Sequence, residues 1–173
     1  MVKFIKFIFV GLFIFSFTPV CMGADKGMSN NPTQESVSSE FPIAYEFKLH
    51  DLKGGEVSLS SYRNRKPVLL VFWTTWCPYC RAALKSLQAD YKSIDSMGVE
   101  ILAINVGEPK NRVINFVESY RLSFQVLFDQ DSSVADQYDL LGVPTYVIIN
   151  KSGRIVSSGN SFPRDRLKEL VKG

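Results

Sequence analysis

The sequence predicts an α/β fold in which helices flank a mixed central β-sheet. Residues 68–74, VLLVFWT, form an apolar run typical of a strand that is buried on both faces. Residues 78–97 carry apolar side chains three and four positions apart, which indicates an amphipathic helix. A strand, helix and strand in succession imply a right-handed parallel crossover, whereas a hairpin turn at residues 151–153 adds antiparallel strands. Together these elements predict helices on both faces of the sheet.

The other elements are predicted from the same periodicities and from turn signals. The turn DLKGG at residues 51–55 separates two short strands and predicts an N-terminal β-hairpin. Gly98 supplies a natural stop for the long helix. The remaining predicted strands cover residues 45–49, 56–59, 99–106, 125–128, 145–150 and 154–158, and the remaining helices cover residues 110–120, 132–138 and 163–172.

Residues 1–24 have the pattern of a secretory signal peptide. Lys3 and Lys6 form a basic start, an apolar run follows at residues 7–17, and small residues come next. The run is shorter than the roughly 20 apolar residues that a membrane-spanning helix needs. We therefore expect the segment to be cleaved after Gly23 or the residue that follows it.

Two alternatives stay open for this segment: it is retained as an N-terminal anchor, or Cys21 carries a lipid. Lipidation is disfavoured because Val20 stands where bacterial lipoprotein signals have a small residue. In every case we expect export, to the periplasm or to the outer face of the cytoplasmic membrane. Residues 25–40, dominated by Ser, Asn, Gly and Pro, are predicted to be a flexible linker, and residues 41–173 to form one domain.

Charge and composition limit the classes of partner. The chain has a formal net charge of +3, and removal of residues 1–24, which hold two Lys and no acidic residue, leaves a nearly neutral protein. A neutral domain without a run of Lys and Arg has no electrostatic basis for binding nucleic acid. The hydrophobic fraction of 46% is enough for an ordinary core, so the fold does not need cysteines as staples.

The strongest functional signal is Trp76-Cys77-Pro78-Tyr79-Cys80, between the buried strand and the long helix. Cys77 falls near the helix N-cap, where free backbone N–H groups and the helix dipole stabilise a thiolate. Pro78 suits the first helical position, where no N–H donor is needed. Cys80 lies one turn further in and is expected to be more buried. We therefore predict that Cys77 attacks a substrate disulfide and that Cys80 resolves the mixed disulfide.

Two non-catalytic interpretations of these cysteines are weaker. A permanent structural disulfide between Cys77 and Cys80 would close a very small loop and remove little entropy from the unfolded chain. A zinc site needs four ligands, but the sequence offers one other Cys, in the signal segment, and one His. We therefore predict a redox-active disulfide and no metal.

These motifs resemble the thioredoxin fold and, over residues 41–172, the TlpA/ResA-like family of exported thiol–disulfide oxidoreductases. The matching segments are FWTTWC at residues 72–77, VGE at residues 106–108 and GVPT at residues 142–145. The resemblance implies a thioredoxin-like sheet with an N-terminal β-hairpin and an inserted strand–helix segment. It also implies an enzyme without a cofactor that reduces disulfides in client proteins, apocytochrome c among them, and that a membrane thiol electron donor reduces again. We expect a monomer.

The resemblance also assigns a substrate groove. It implies that the Val143–Pro144 peptide bond is cis and faces the dithiol, which leaves backbone groups free to pair with an extended peptide. Trp76, Pro78 and Tyr79 are expected to line this groove with Val143 and Pro144. The alternative is an ordinary turn proline with a trans bond.

Glu108 is the third predicted catalytic residue. Alignment with thioredoxins puts Val71 at the position of their buried Asp, the proton acceptor for the resolving cysteine. The resemblance to ResA-like proteins implies that Glu108 lies near the cysteines and accepts this proton instead. An exposed acid at a helix start is the alternative. Ala83 and Lys85 stand where the family usually has Glu and Pro, which leaves the fine substrate preference open.

Three other functions are compatible with parts of the pattern. Thr74-x-x-Cys77 is similar to the motif of thiol peroxidases of the peroxiredoxin type, but Leu70 replaces the Pro four residues before the Thr. An oxidant that introduces disulfides usually carries a large helical insertion, for which this chain has no room. A binding module with a purely structural dithiol is the remaining interpretation.

Overall fold

The computed structural model describes residues 41–170, so the predicted signal segment and linker lie outside the described residues. The strands of the described part are short and mostly buried. They are β1 (Lys48–Asp51), β2 (Glu56–Ser58), β3 (Val68–Trp73), β4 (Glu100–Val106), β5 (Gln125–Asp129), β6 (Thr145–Ile149) and β7 (Ile155–Gly159).

The helices of residues 41–170 alternate with these strands. They are α1 (Pro78–Ser96), α2 (Lys110–Tyr120), α3 (Ser133–Gln137) and α4 (Arg164–Leu170). Leu84, Leu87 and Ile94 form the buried stripe of α1 at helical spacing. The helix stops before Gly98, whose φ of +75° lies in the left-handed region that glycine adopts without steric cost. Within residues 41–170 we find no helix with the length and apolar character needed to cross a membrane.

The strands of residues 41–170 pair into one sheet in the order β2-β1-β5-β4-β3-β6-β7. β3, β4 and β5 are parallel neighbours, whereas β6 pairs with β3 and β1 pairs with β5 in antiparallel fashion. The β1–β2 and β6–β7 hairpins occupy the two edges. This topology confirms the predicted mixed sheet and its N-terminal hairpin. The helix α2 and strand β5, inserted between β4 and α3, form the additional strand–helix segment.

Strand β3 is the centre of two hydrophobic cores. All six of its side chains are buried, and because successive side chains point to opposite faces, they divide between the cores. Leu69, Val71 and Trp73 pack into the core that contains the buried side of α1, while Leu70 and Phe72 pack into the other. Each buried apolar side chain contributes roughly 1.5–3 kcal/mol. The strand that leads to the dithiol is therefore held firmly from both faces.

Two predicted strands are displaced at both ends, whereas each of the others differs from the structure by one residue at one end. The first strand begins at Lys48 instead of residue 45, because pairing with β2 starts at Lys48 and Ser58. The last strand covers Ile155–Gly159 instead of residues 154–158, because a register shift at Ile148 and Ile149 displaces its pairing with β6. Both differences arise from inter-strand pairing, which a local pattern does not contain.

The sheet brings three distant chain segments to one edge. The parallel strands β3 and β4 end side by side, with Trp73 opposite Asn105, and they lead to the cysteines and to Glu108 respectively. Because β6 is antiparallel to β3, the start of β6 lies at the same edge, with Thr145 opposite Phe72. The loop that precedes β6 is thereby placed beside the start of α1.

Candidate active site

Cys77 is the N-cap residue of α1, and Pro78 occupies the first position of the helix. The Cys77 sulfur accepts a hydrogen bond from the Cys80 backbone N–H at 3.4 Å, in the way that a capping side chain satisfies a free helix donor. Both cysteines are free thiols in this structure. The predicted positions of Cys77 and Pro78 at the helix start are confirmed, and they place the Cys77 sulfur at the positive end of the helix dipole.

Cys80 is more buried than Cys77, as predicted, but the difference is small. Cys80 is completely buried, and Cys77 is only 4% exposed. Burial raises the pKa of the Cys80 thiol to about 12. The backbone and the hydroxyl of Thr74 act in the opposite direction and lower this pKa, but their effect is smaller. Near neutral pH, Cys80 is therefore a thiol. The strong burial of Cys77 is not indicated by the sequence.

The loop before β6 faces the dithiol, and its Val143–Pro144 peptide bond is cis as predicted. The Cys77 thiol donates to the Val143 carbonyl oxygen at 3.5 Å. The Pro144 carbonyl oxygen accepts from the Asn160 side-chain amide at 2.9 Å, and the Thr145 hydroxyl is 3.1 Å from the same amide. Asn160 therefore holds the loop in place from the edge hairpin.

Two open cavities lie beside this loop. The first, of about 550 Å³, is lined among others by Thr74, Trp76, Cys77 and Val143. The second, of about 420 Å³, is lined by Tyr79, Ala83, Gly142, Val143, Pro144, Tyr146 and Asn160. Four of the five predicted groove residues thus line one of the two cavities. Pro78 is exposed and lines neither of them.

Three large side chains near the dithiol are exposed to solvent, and we call them the apolar rim. Trp76 is 65% exposed, Tyr79 is 78% exposed, and Leu141 is fully exposed. Trp76 and Tyr79 flank Cys77 in sequence, while Leu141 lies in the loop that carries Val143. Exposed apolar side chains grouped around a reactive atom favour binding of another polypeptide there.

Glu108 is buried, so the alternative of an exposed helix-start acid is wrong. Its carboxylate accepts from the Thr75 backbone N–H at 2.6 Å, from the Thr75 hydroxyl at 2.6 Å and from the Asn105 side-chain amide at 2.8 Å. The Asn105 amide also donates to the Trp73 carbonyl oxygen, and the exposed Arg112 side chain lies 3.7 Å from the carboxylate. We call Thr75, Asn105 and Glu108 the buried polar network.

The buried polar network explains how Glu108 relates to the cysteines. Among the described residues, the hydrogen-bond partners of the carboxylate are Thr75 and Asn105, and neither cysteine sulfur is one of them. The carboxylate therefore ties the segment between β3 and α1 to the end of β4. Gly107, with φ of +68°, makes the turn that directs Glu108 inwards. The role of Glu108 as proton acceptor stays a prediction.

Val71, at the position of the thioredoxin acid, is fully buried in the core beneath α1. Its neighbour across the sheet is Tyr146 on β6. Burial, together with the nearby Cys80, raises the pKa of the Tyr146 phenol to about 12. Tyr146 and Cys80 thus belong to the same buried core, and both side chains are neutral near pH 7.

Sequence reasoning did not assign Thr75, Asn105, Tyr146 or Asn160 to the site, and it considered Thr74 only as part of a peroxidase-like motif. A usable signal existed for three of them. Asn105 interrupts the apolar run of β4, and Thr74 and Thr75 follow directly on the apolar run of β3. A polar residue within a buried strand is expected to have a hydrogen-bond partner, so such interruptions are worth examining.

Comparison with known proteins gives one matching family model, described as the AhpC/TSA family, over residues 42–158. The thiol-disulfide oxidoreductase ResA of Bacillus subtilis (strain 168) is 42% identical over 123 residues, which cover 71% of this chain and 68% of that protein. ResA of Geobacillus kaustophilus (strain HTA426) is 39% identical over 123 residues, which cover 71% of this chain and 70% of that protein.

Solved structures agree on the fold. A secreted disulfide oxidoreductase of Mycobacterium tuberculosis, described as homologous to E. coli DsbE, superposes with a TM-score of 0.62 at 27% identity. The match covers 73% of this chain and 94% of that one. The thioredoxin domain of a thiol-disulfide oxidoreductase from Bacteroides vulgatus superposes with a TM-score of 0.65 at 24% identity, covering 75% and 93%. The sheet and helices described above thus have the thioredoxin-like arrangement.

Proposed function

This chain belongs to the AhpC/TSA family and is a ResA-like thiol–disulfide oxidoreductase, and we propose that it reduces disulfides in client proteins outside the cytoplasm. The observation that carries the proposal is the unequal pair of sulfurs. Cys77 lies at a helix N-terminus, against the Val143 carbonyl and beside an open cavity, whereas Cys80 is enclosed. Although Cys77 is only 4% exposed, it lines that cavity, so we expect a client sulfur to reach Cys77 through it and not to reach the completely buried Cys80.

The reducing direction, rather than the oxidant alternative, rests on the family resemblance. In strong disulfide-forming oxidants, the high potential comes from a stabilised thiolate of the attacking cysteine. The attacking cysteine here is Cys77, so the raised pKa of the resolving Cys80 does not bear on the direction. A reduction potential above about −150 mV would restore that alternative.

Clients and electron supply are further parts of the proposal. The apolar rim supports a polypeptide client, and the family resemblance points to apocytochrome c, whose cysteines must be reduced for haem attachment. The signal-like residues 1–24 and the secreted relative from Mycobacterium tuberculosis support a site of action outside the cytoplasm. There a membrane thiol electron donor would reduce the Cys77–Cys80 disulfide again.

Trapping of mixed disulfides tests the proposal. In a Cys80→Ser variant, Cys77 attacks the client disulfide but no second thiol resolves the product. We expect clients to accumulate as covalent adducts that migrate together on non-reducing gels and separate on reduction. The matched control is Cys77→Ser, which should accumulate few adducts because Cys80 is enclosed. Equal trapping by both variants would contradict the assigned order of attack.

The thiol peroxidase alternative is tested by a direct assay, because the match to the AhpC/TSA family model, over residues 42–158, includes the Thr74-x-x-Cys77 motif and both cysteines. We expect the Cys80→Ser variant, with Cys77 intact, to consume hydrogen peroxide no faster than an ordinary protein thiol. Rapid turnover of peroxide by that variant would replace the reductase proposal by the peroxidase. Reduction of insulin disulfides by the wild-type protein, measured in parallel, separates the two activities.

A further inference from the structure

We propose that the Thr74 hydroxyl is a further catalytic group, which donates a hydrogen bond to the Cys80 sulfur while that sulfur attacks the mixed disulfide at Cys77. The inference rests on the proposed dithiol exchange. Thr74 directly follows β3 and is only 4% exposed. Its hydroxyl is buried and has no hydrogen-bond partner among the described residues, although buried hydroxyls are almost always paired.

Thr74 lies close to both cysteines, so its unpaired hydroxyl is placed to act in the exchange reaction. Thr74 lines the same cavity as Cys77, so it stands where the mixed disulfide forms. It also lies close to Cys80, since its backbone and its hydroxyl are among the groups that lower the pKa of that thiol, although the hydroxyl makes no hydrogen bond of ordinary geometry before the reaction. Hydrogen bonds of catalytic groups are often long or poorly aligned before the substrate is bound and tighten during the reaction.

Thr74 is held in place by its neighbour. The carboxylate of Glu108 binds Thr75 through both the backbone N–H and the hydroxyl, each at 2.6 Å. This double contact leaves the preceding peptide little freedom, and the branched side chain of Thr74 has few rotamers of its own. A donor that is already oriented towards a developing negative charge stabilises it without reorganisation.

No carboxylate contacts the Cys80 sulfur in the described structure. Stabilisation of the Cys80 thiolate therefore falls to a neutral hydrogen-bond donor. The titratable groups packed near Cys80 are Cys77 at the start of α1 and Tyr146, which lies in the same core on β6. Glu108 directs its oxygens to Thr75 and Asn105. A donor beside Cys80 lowers the cost of forming its thiolate in this enclosed place.

The resolving step then balances without any additional oxidant. The Cys80 sulfur attacks the Cys77 sulfur, the bond between Cys77 and the client sulfur breaks, and the Cys77–Cys80 disulfide forms. The client leaves as a thiolate that takes up the proton released by Cys80, so one thiol and one mixed disulfide become one disulfide and one thiol. The hydrogen bond from Thr74 is made while Cys80 carries negative charge, before the new bond is complete.

The experiment uses the reduced full-length protein and an aromatic disulfide that releases one coloured thiol in each step. The rate of the first phase, attack by Cys77, scales with the reagent concentration, whereas the rate of the second phase, resolution by Cys80, does not. Loss of a hydrogen bond to a charged group costs about tenfold or more in rate. We expect Thr74→Val to slow the second phase about tenfold and to leave the first within about twofold.

Conservative and competing variants make the result specific. Thr74→Ser keeps the hydroxyl and should restore the second phase, and its pH profile should coincide with that of the wild type. In Thr74→Val, the profile of the second phase should move to higher pH. Tyr146→Phe removes the hydroxyl of another residue in the same core as Cys80 and should change the second phase much less than Thr74→Val does.

Three outcomes would overturn the inference. The second phase is unchanged in Thr74→Val, Tyr146→Phe slows it instead, or Thr74→Val slows both phases equally while Thr74→Ser does not restore them. Thr74→Ala provides a second hydroxyl-free variant should valine prevent folding. Absence of the second phase in the wild-type protein would count against the proposed function itself, since it would mean that Cys80 does not resolve the mixed disulfide.

Discussion

The apolar rim and the buried polar network flank the same dithiol but differ in solvent exposure and in hydrogen bonding. The rim side chains, Trp76, Tyr79 and Leu141, lie largely in solvent. The network carboxylate of Glu108 is enclosed and accepts three hydrogen bonds of 2.8 Å or less. The rim can therefore change shape on contact with a partner, whereas the network cannot change without leaving buried donors unpaired.

This difference indicates that separate residues recognise the client and hold the sulfurs in place. A dithiol that handles several proteins needs a surface that adapts to them, which exposed aromatic and aliphatic side chains provide. The exchange itself needs sulfurs at fixed positions, which the network provides by anchoring Thr75, two residues before Cys77. Recognition and geometry are thus carried by separate residues, and each can be altered without the other.

The largest effect should come from the network. Glu108→Ala removes the acceptor of three hydrogen bonds, which the Thr75 N–H, the Thr75 hydroxyl and the Asn105 side-chain amide donate. Each buried donor left unpaired costs about 1–3 kcal/mol. We expect the free energy of unfolding to fall by about 3 kcal/mol in denaturant titrations. Glu108→Gln keeps one acceptor oxygen and should lose less.

Glu118→Ala is the matched control for that prediction, because Glu118 is an exposed acid on α2. Substitutions at such surface positions usually change stability by no more than about 0.5 kcal/mol. If Glu108→Ala proved as mild as Glu118→Ala, the network would not anchor the loop, and the contrast with the rim would disappear.

An intermediate effect is expected in the reactivity of Cys80. Only thiolates react with iodoacetamide, and burial raises the pKa of Cys80 to about 12. In a Cys77→Ser variant, alkylation of the native protein should therefore stay slow at neutral pH and accelerate only in strongly alkaline solution. The same protein unfolded in denaturant should react in the range of an ordinary thiol, near pH 8.5. Fast alkylation of the native variant at pH 7 would show that Cys80 is not enclosed.

The smallest effect on the protein itself should come from the rim. Trp76→Ala and Tyr79→Ala remove side chains that contribute little to the core, so stability should stay within about 0.5 kcal/mol. Reduction of a protein disulfide should lose about tenfold in kcat/KM, since aromatic anchors commonly carry binding energy of that size. Reaction with a small disulfide should be unchanged. Ile43→Ala, which removes another exposed apolar side chain away from the dithiol, is the control for both measurements.

Most of the fold was predictable from sequence because its elements carry strong local patterns. The apolar run of β3, the stripe of α1 and the Gly98 stop each depend on neighbouring residues, and all three are confirmed. The predicted N-cap position of Cys77 and the cis bond before Pro144 are confirmed as well. The start of β1 was missed because it depends on pairing with β2 and β5, and the apolar pattern of residues 45–49 does not show where this pairing begins.

The site was predictable only in part, for a similar reason. Glu108 was singled out through a family resemblance, but its partners Thr75 and Asn105 were not. Each partner is an ordinary polar residue in sequence, and only the parallel register of β3 and β4 places them together. The same holds for Tyr146, which shares a core with Cys80 because β6 lies against β3.

The sequence by itself determined the elements of this protein, the dithiol at a strand–helix junction and the order of the two cysteines along α1, since all of these depend on residues close in the chain. The tertiary structure alone decided which side chains surround the sulfurs. It enclosed Cys80, turned the Glu108 carboxylate towards Thr75 and left the Thr74 hydroxyl unpaired beside the reacting atoms. Burial and hydrogen bonding between distant segments set the reactivity of a thiol, and both exist only once the sheet has formed.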